Sequence, residues 1–224
     1  MLPPIFSASS SDTTDFIFQH HDQVTFTLLP QSSLLYAIYV KLDGPSNIEV
    51  RCGDRRTLRQ LTRGDLAIAP YRLTIDGADI DACEFLQLSL KPSVIHRVAR
   101  ELGLRSPVEL VPVIGVVDPL AEQTIYQLEE ELTTAPDRHD VVNLLIDTLA
   151  KHLVRHYAEG VWPRRKVGGF PTYVLDRVME YIEHNRDRNP SSQEIARILG
   201  VAEDRFERAF KETTGQSIHQ YLKK

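Results

Sequence analysis

Between residues 203 and 213 the chain reads EDRFERAFKET. Wound as a helix, this stretch puts Phe206 and Phe210 four apart on one stripe with Ala209 beside them, and that stripe turns inward. Asp204, Arg205, Glu207, Arg208 and Lys211 are then expected to face outward. They offer two guanidinium groups, an ammonium and two carboxylates, and no nucleophile. The chemistry of such a face is recognition rather than bond making. Just upstream, Ile195, Ala196 and Leu199 give a shorter helix an apolar face, and Gly200 supplies a turn that tolerates left-handed backbone. A short helix, a tight turn and a second helix packed across the first are the parts of a helix-turn-helix. The exposed N-terminal residues of its second helix reach base edges. The competing reading is a plain three-helix bundle without a ligand.

The wider pattern favours the first reading. Ile195-Ala196, Gly200-Val201, Phe206, Arg208, Phe210, Thr214-Gly215, Ser217 and Tyr221-Leu222 stand at spacings that resemble the AraC/XylS family of bacterial transcription regulators. The resemblance implies that Ile195, Ala196, Val201, Phe206 and Phe210 are core. It implies that Asp204, Glu207 and Arg208 face bases, with Arg205 and Lys211 as phosphate contacts. A guanidinium at Arg208 can grip guanine O6 and N7 at once, and a carboxylate at Glu207 can accept from cytosine N4. Glu203 and Asp204 also suit the positive end of the helix dipole. They compensate for Ala202, where the family usually has a capping Ser or Thr. Family members carry two helix-turn-helix units joined by a long helix. Here Ser217 reads as the start of that helix and the sequence ends seven residues later. The expectation is therefore a C-terminally shortened form with the first unit only.

Elsewhere the residues give fainter signals. Gly64 to Pro70 matches the start of a cupin metal motif, but Arg72 and Thr74 stand where its later Gly and His belong, and no H-x-H occurs. His152 and His156 are four apart on a predicted helix with Glu159 near, a spacing able to hold a metal but without an evident third ligand. No metal and no cofactor are expected. Tyr36, Tyr39, Tyr71, Arg72, Glu84 and Gln87 are candidates to line a barrel mouth and contact an effector. No nucleophile–base pair or Gly-rich phosphate loop is present, so the chain reads as a non-enzyme.

These residues need scaffolding. From Asp22 to Leu90, β-branched and aromatic runs alternate with turn signals such as Asp43-Gly44-Pro45 and Arg63-Gly64-Asp65. Short strands are expected at Val24 to Leu29, Ser33 to Leu42, Asn47 to Arg51, Thr57 to Leu61, Asp65 to Ala69, Tyr71 to Ile75 and Cys83 to Leu90, as in a small barrel or sandwich. From Lys91 the period becomes helical. Pro92 to Leu102, Asp118 to about Thr134 and Asp140 to Tyr157 read as helices, the last two forming a hairpin. The stripe Val142, Leu145, Ile146, Leu149 and Leu153 is wide enough to pack partly on the β-unit and partly on a partner, so helix 140–157 is the expected homodimer surface. The fold class expected is α+β: an N-terminal cupin-like β-barrel with a helical hairpin (1–160), a linker (161–171) holding Pro163, Gly168 and Gly169, and a C-terminal all-α helix-turn-helix subdomain (172–224).

Composition sets the limits. About 42% of the 224 residues are apolar, enough for a real core, and no run approaches the length of a membrane span. The start lacks a basic region before an apolar run, and two cysteines, Cys52 and Cys83, make no disulfide framework, so a cytoplasmic location is expected. The net charge is −5, and residues 170–224 hold nine bases and nine acids. A neutral reading unit predicts weak binding of double-stranded DNA with a shallow salt dependence. The expected function is an effector-responsive, sequence-specific DNA-binding transcription regulator. The alternatives are a sensing and dimerisation protein that has lost independent DNA binding, and a cupin enzyme.

Overall fold

The computed structural model describes residues 5–6, 15–28, 31–32, 34–52, 55–71, 74–75, 77–105, 107–135, 137–159 and 168–223. The β-rich half contains β1 (Ile5–Phe6), β2 (Phe16–Leu28), β3 (Gln31–Ser32), β4 (Tyr36–Lys41), β5 (Ser46–Cys52), β6 (Arg55–Leu61), β7 (Leu66–Ala69), β8 (Thr74–Ile75), β9 (Gly77–Leu90) and, after a helix, β10 (Val113–Val116). All pairings between these strands are antiparallel. The two long strands β2 and β9 are paired along nearly their whole length, with register shifts after His21 that bend them. The other edge of β9 then serves two partners. Its second half pairs with β4, which leads on to β7 and β10, and its first half pairs with β5, which leads to β6. The forked, bent sheet is the cupin-like part of an α+β fold.

The long strands exceed what the sequence pattern indicates. Phe16 and Phe18 are buried against Leu90 and Leu88, so β2 begins well before Val24. The polar run from Gln19 to Gln23 hides this, because it interrupts the apolar alternation while the backbone pairing continues. Of the expected Tyr71 to Ile75 strand, only Thr74–Ile75 is extended among the described residues.

Three helices, α1 (Pro92–Glu101), α2 (Pro119–Thr134) and α3 (His139–Tyr157), cover one face of the sheet. Tyr36, Ile38, Val40, Leu86, Leu88 and Leu90 from the strands meet Val94, Ile95, Ile125, Leu128, Ile146, Leu149 and Leu153 from the helices in one core. The α3 stripe is thus largely consumed inside the chain. Leu145 is half-buried, and Leu144, 65% exposed, is the main apolar group left outward.

The remaining helices are α4 (Thr172–His184), α5 (Ser192–Leu199), α6 (Glu203–Thr214) and α7 (Ile218–Leu222), with a 3-10 turn at Arg186–Arg188. Val174, Val178, Ile182, Ile195, Phe206, Phe210 and Ile218 make a second core, to which Val117 and Phe170 are added. Most of the expected linker, 161–167, lies outside the described residues. From Gly168 the chain runs beside β10: the Gly168 amide donates to Ile114 O and the Val117 amide to Gly169 O, both at 3.0 Å.

Candidate nucleic-acid interface

Helix α5 starts at Ser191, whose Oγ accepts from the Glu194 amide at 3.1 Å. The Glu194 side chain does not return the bond as a capping box would. It accepts from the Tyr181 hydroxyl at 2.6 Å and so ties α5 to α4. Gly200 ends the helix at φ 71° and ψ 27°, in the left-handed region that favours glycine. The Val201 amide then donates to Ala196 O, and α6 begins after Ala202. Phe206 packs at 5.8 Å from Phe170 and 5.7 Å from Phe210, ring centre to ring centre. Ile195 and Ala196 meet this aromatic layer from α5. The parts of a helix-turn-helix are present, with α6 in the place of the reading helix.

Three of the five outward-facing residues expected on α6 are exposed: Asp204, Glu207 and Lys211. Arg205 is not. It is 7% exposed and sits against the β-unit. Its Nε donates to Asp65 Oδ1 at 3.3 Å, its Nη1 to Glu122 Oε2 at 2.7 Å, and its Nη2 to Gly64 O. Arg208 is partly covered, and its Nη2 donates to both Asp65 oxygens, at 2.6 and 2.8 Å. The expected exposure of Arg205 fails for a physical reason. Helical periodicity reports which side faces the helix's own neighbours, and a second side of α6 is covered by a loop 140 residues earlier. Arg205, Arg208 and Glu212 follow an i, i+3, i+7 stripe toward the β-unit, while Asp204, Glu207 and Lys211 follow the neighbouring one.

Other contacts reinforce this docking. Arg59 Nη2 donates to Glu212 Oε2 at 2.8 Å and to Gly115 O at 3.0 Å. The Gly169 amide donates to the same Glu212 oxygen at 2.9 Å, and the Phe170 amide to Thr213 Oγ1 at 2.8 Å. Asp65 is also fixed locally, since its Oδ2 accepts from the Thr62 amide at 3.0 Å and closes the turn. Its side chain is fully buried.

A buried node joins the same two units. Asp118 caps α2 by accepting from the Ala121 amide at 3.0 Å. It also accepts from the Tyr157 hydroxyl at 2.6 Å and the Tyr173 hydroxyl at 2.7 Å, and it pairs with His152 Nε2 at 2.7 Å. Burial alone would raise the Asp118 pKa, but the His152 contact and the other donors hold it below the usual carboxylate value. Burial and the Asp118 charge push Tyr157 and Tyr173 upward. The His156 ring lies tilted against His152 at 4.7 Å and against Tyr173 at 4.6 Å, so the two histidines pack into the wall of this node. Among the described residues no group of three His, Cys, Asp or Glu could hold a metal ion.

The effector candidates divide between the two faces of the sheet. Tyr39 and Gln87 are directly opposed across β4 and β9, on the face away from the helices. His21 and Ser89 join them, each hydrogen-bonded to Gln87, at 3.1 and 2.9 Å. Tyr36 is buried under the helices with Tyr71 at 6.1 Å, and burial and Glu109 raise its pKa to about 12. Glu84 is also on that side, bound to His20 at 2.8 Å, while His20 reaches Glu129 on α2 at 2.6 Å. Arg72 lies outside the described residues. Cys83 is a free, buried thiol, its pKa raised by burial.

No family model matches the sequence, and no curated protein matches it. Solved structures do. The AraC-like transcriptional activator CuxR is similar at 17% identity over 94% of this chain and 71% of its own, with a TM-score of 0.39. ToxT from Vibrio cholerae O395 is 7% identical over 93% of this chain and 78% of its own, with a TM-score of 0.46. Oxalate decarboxylase OxdC from Bacillus subtilis is similar over 40% of this chain and 28% of its own, at 14% identity and a TM-score of 0.26.

Proposed function

We propose that the chain is a sequence-specific DNA-binding transcription regulator in which α6 enters the major groove. One observation carries this: α5, the left-handed Gly200 turn and α6 are assembled on one core with α4, Phe170 and Val117, which fixes the first two turns of α6 as a presenting element. Asp204, Glu207 and Arg208 are assigned to base edges, and Arg205 and Lys211 to phosphates. The β-unit is assigned to sensing or dimerisation. Tyr39 and Gln87 are its effector contacts, and the surface around Leu144 and Leu145 on α3 its homodimer contact. The unit boundaries at 1–160 and 172–224 belong to the same reading. Among the described residues no helix is long and apolar enough to cross a membrane.

A second reading has its own support. With Arg205 and Arg208 engaged by the β-unit, the exposed side of α6 carries Glu203, Asp204 and Glu207 against Lys211. That surface repels phosphate. A sensing and dimerisation protein without DNA affinity would present the same face.

Fluorescence anisotropy with labelled duplexes of random sequence, titrated in salt, separates the two. Three cations on α6 predict a log–log salt slope no steeper than about −3 per protomer. Absence of binding at low salt would favour the second reading.

A further inference from the structure

We infer that the Gly64-Asp65 turn and Glu122 form an acidic cradle that competes with DNA for the arginines of α6, so that the docked conformation is the inhibited one. This rests on the DNA-reading role proposed above and adds its regulation. The turn is the one place where the chain matches the start of a cupin metal motif, and no metal group is found there among the described residues. What the turn does hold is two guanidinium groups. Asp65 is fully buried and takes Arg208 through both oxygens and Arg205 through one, while Glu122 takes the other side of Arg205. The Gly64 carbonyl accepts from Arg205 as well. Gly64, at φ 81°, permits this approach: a Cβ there would lie 2.2 Å from Arg205 Nη1.

The donor pattern a guanidinium offers to two carboxylate oxygens is the pattern it offers to a phosphate or to guanine O6 and N7. One arginine cannot serve both. In the docked state α6 therefore keeps Glu203, Asp204 and Glu207 outward and its arginines inward, the reverse of what a DNA surface attracts.

One feature marks the contact as polar and incompletely satisfied rather than as part of a core. The Nε atoms of Arg208 and Arg59 are buried without an acceptor, so the interface leaves donors unmet that water or phosphate would satisfy. Neutralising the cradle leaves the buried Arg205 without its countercharges and shifts the population toward the released form.

The test uses the full chain. Asp65→Asn keeps an oxygen for the Thr62 amide, and Glu122→Gln leaves the turn untouched. The two changes are made singly and together. Small-angle X-ray scattering reads release, and anisotropy with random-sequence duplexes reads affinity at low salt. A docked fraction near nine-tenths hides about tenfold in apparent affinity. The double variant is expected to have a larger radius of gyration and a dissociation constant lower by about that factor, with Glu122→Gln intermediate. An unchanged radius, or a larger one with the wild-type affinity retained, overturns the inference. Release without DNA binding in any of the proteins overturns the DNA reading itself, and the inhibition with it.

Discussion

One guanidinium nitrogen of Arg208 lies 2.6 and 2.8 Å from the two carboxylate oxygens of Asp65, 143 positions earlier in the chain. This pair joins the turn before β7 to the helix that would read DNA. Together with Arg205 it decides which side of α6 meets solvent.

The Asp118 node predicts a stability effect. Asp118→Asn leaves one acceptor oxygen and places an amide opposite His152, Tyr157 or Tyr173, whose polar groups all lie within 2.7 Å of the native carboxylate. The expected loss is about 3 kcal/mol, read from the urea midpoint at constant m-value. A loss under about 0.5 kcal/mol, the level of an ordinary surface change, would contradict the node's role.

Two histidines should bend the pH dependence in opposite directions. Burial lowers the His20 pKa, but Glu84 and Glu129 outweigh it and the net shift is above 6.5. Its contribution is full below pH 6.5 and is lost as pH rises through the raised folded value. Burial and the neighbouring His152 hold His156 below 6.5. Its contribution is present above pH 6.5 and is lost as pH falls through the depressed folded value. In urea unfolding across a pH series, His20→Gln should flatten the decline above pH 6.5 and His156→Gln the decline below it. Slopes matching wild type in both variants would refute the assignment.

Ala202 occupies the N-cap of α6 at φ −68° and ψ 147° with no side-chain cap, whereas Ser191 and Ser217 cap α5 and α7. The same backbone accepts a capping hydroxyl. Ala202→Ser should stabilise the helical unit by about 1 kcal/mol, visible as a raised thermal midpoint. An unchanged or lowered midpoint would show that Glu203 and Asp204 already meet the free amides.

Local patterns made the helices legible. The Phe206–Phe210 spacing and the Gly200 stop identify α5 and α6, since each signal lies within a few residues of what it governs. Strand existence was also legible from the turn residues, but β2 and β9 were longer than their apolar alternation indicated. Polar residues on the face away from the helices, such as Gln19, His21 and Gln87, do not stop backbone pairing. The cradle was not legible. Asp65 reads locally as a turn residue, and the sequence holds no sign that its carboxylate meets Arg205 and Arg208. The Asp118 node was legible only as a helix start. Its partners come from positions 34 to 55 residues away, and periodicity carries no information at that range.

Selection from a pool of random duplexes, with sequencing of the bound fraction at low salt and at about 150 mM salt, tests most directly whether α6 reads DNA. The account predicts an enriched motif for the wild-type chain, with the preference at one position relaxed by Arg208→Ala at a cost of about 1–3 kcal/mol. No enrichment at either salt, or a motif indifferent to Arg208, would contradict it.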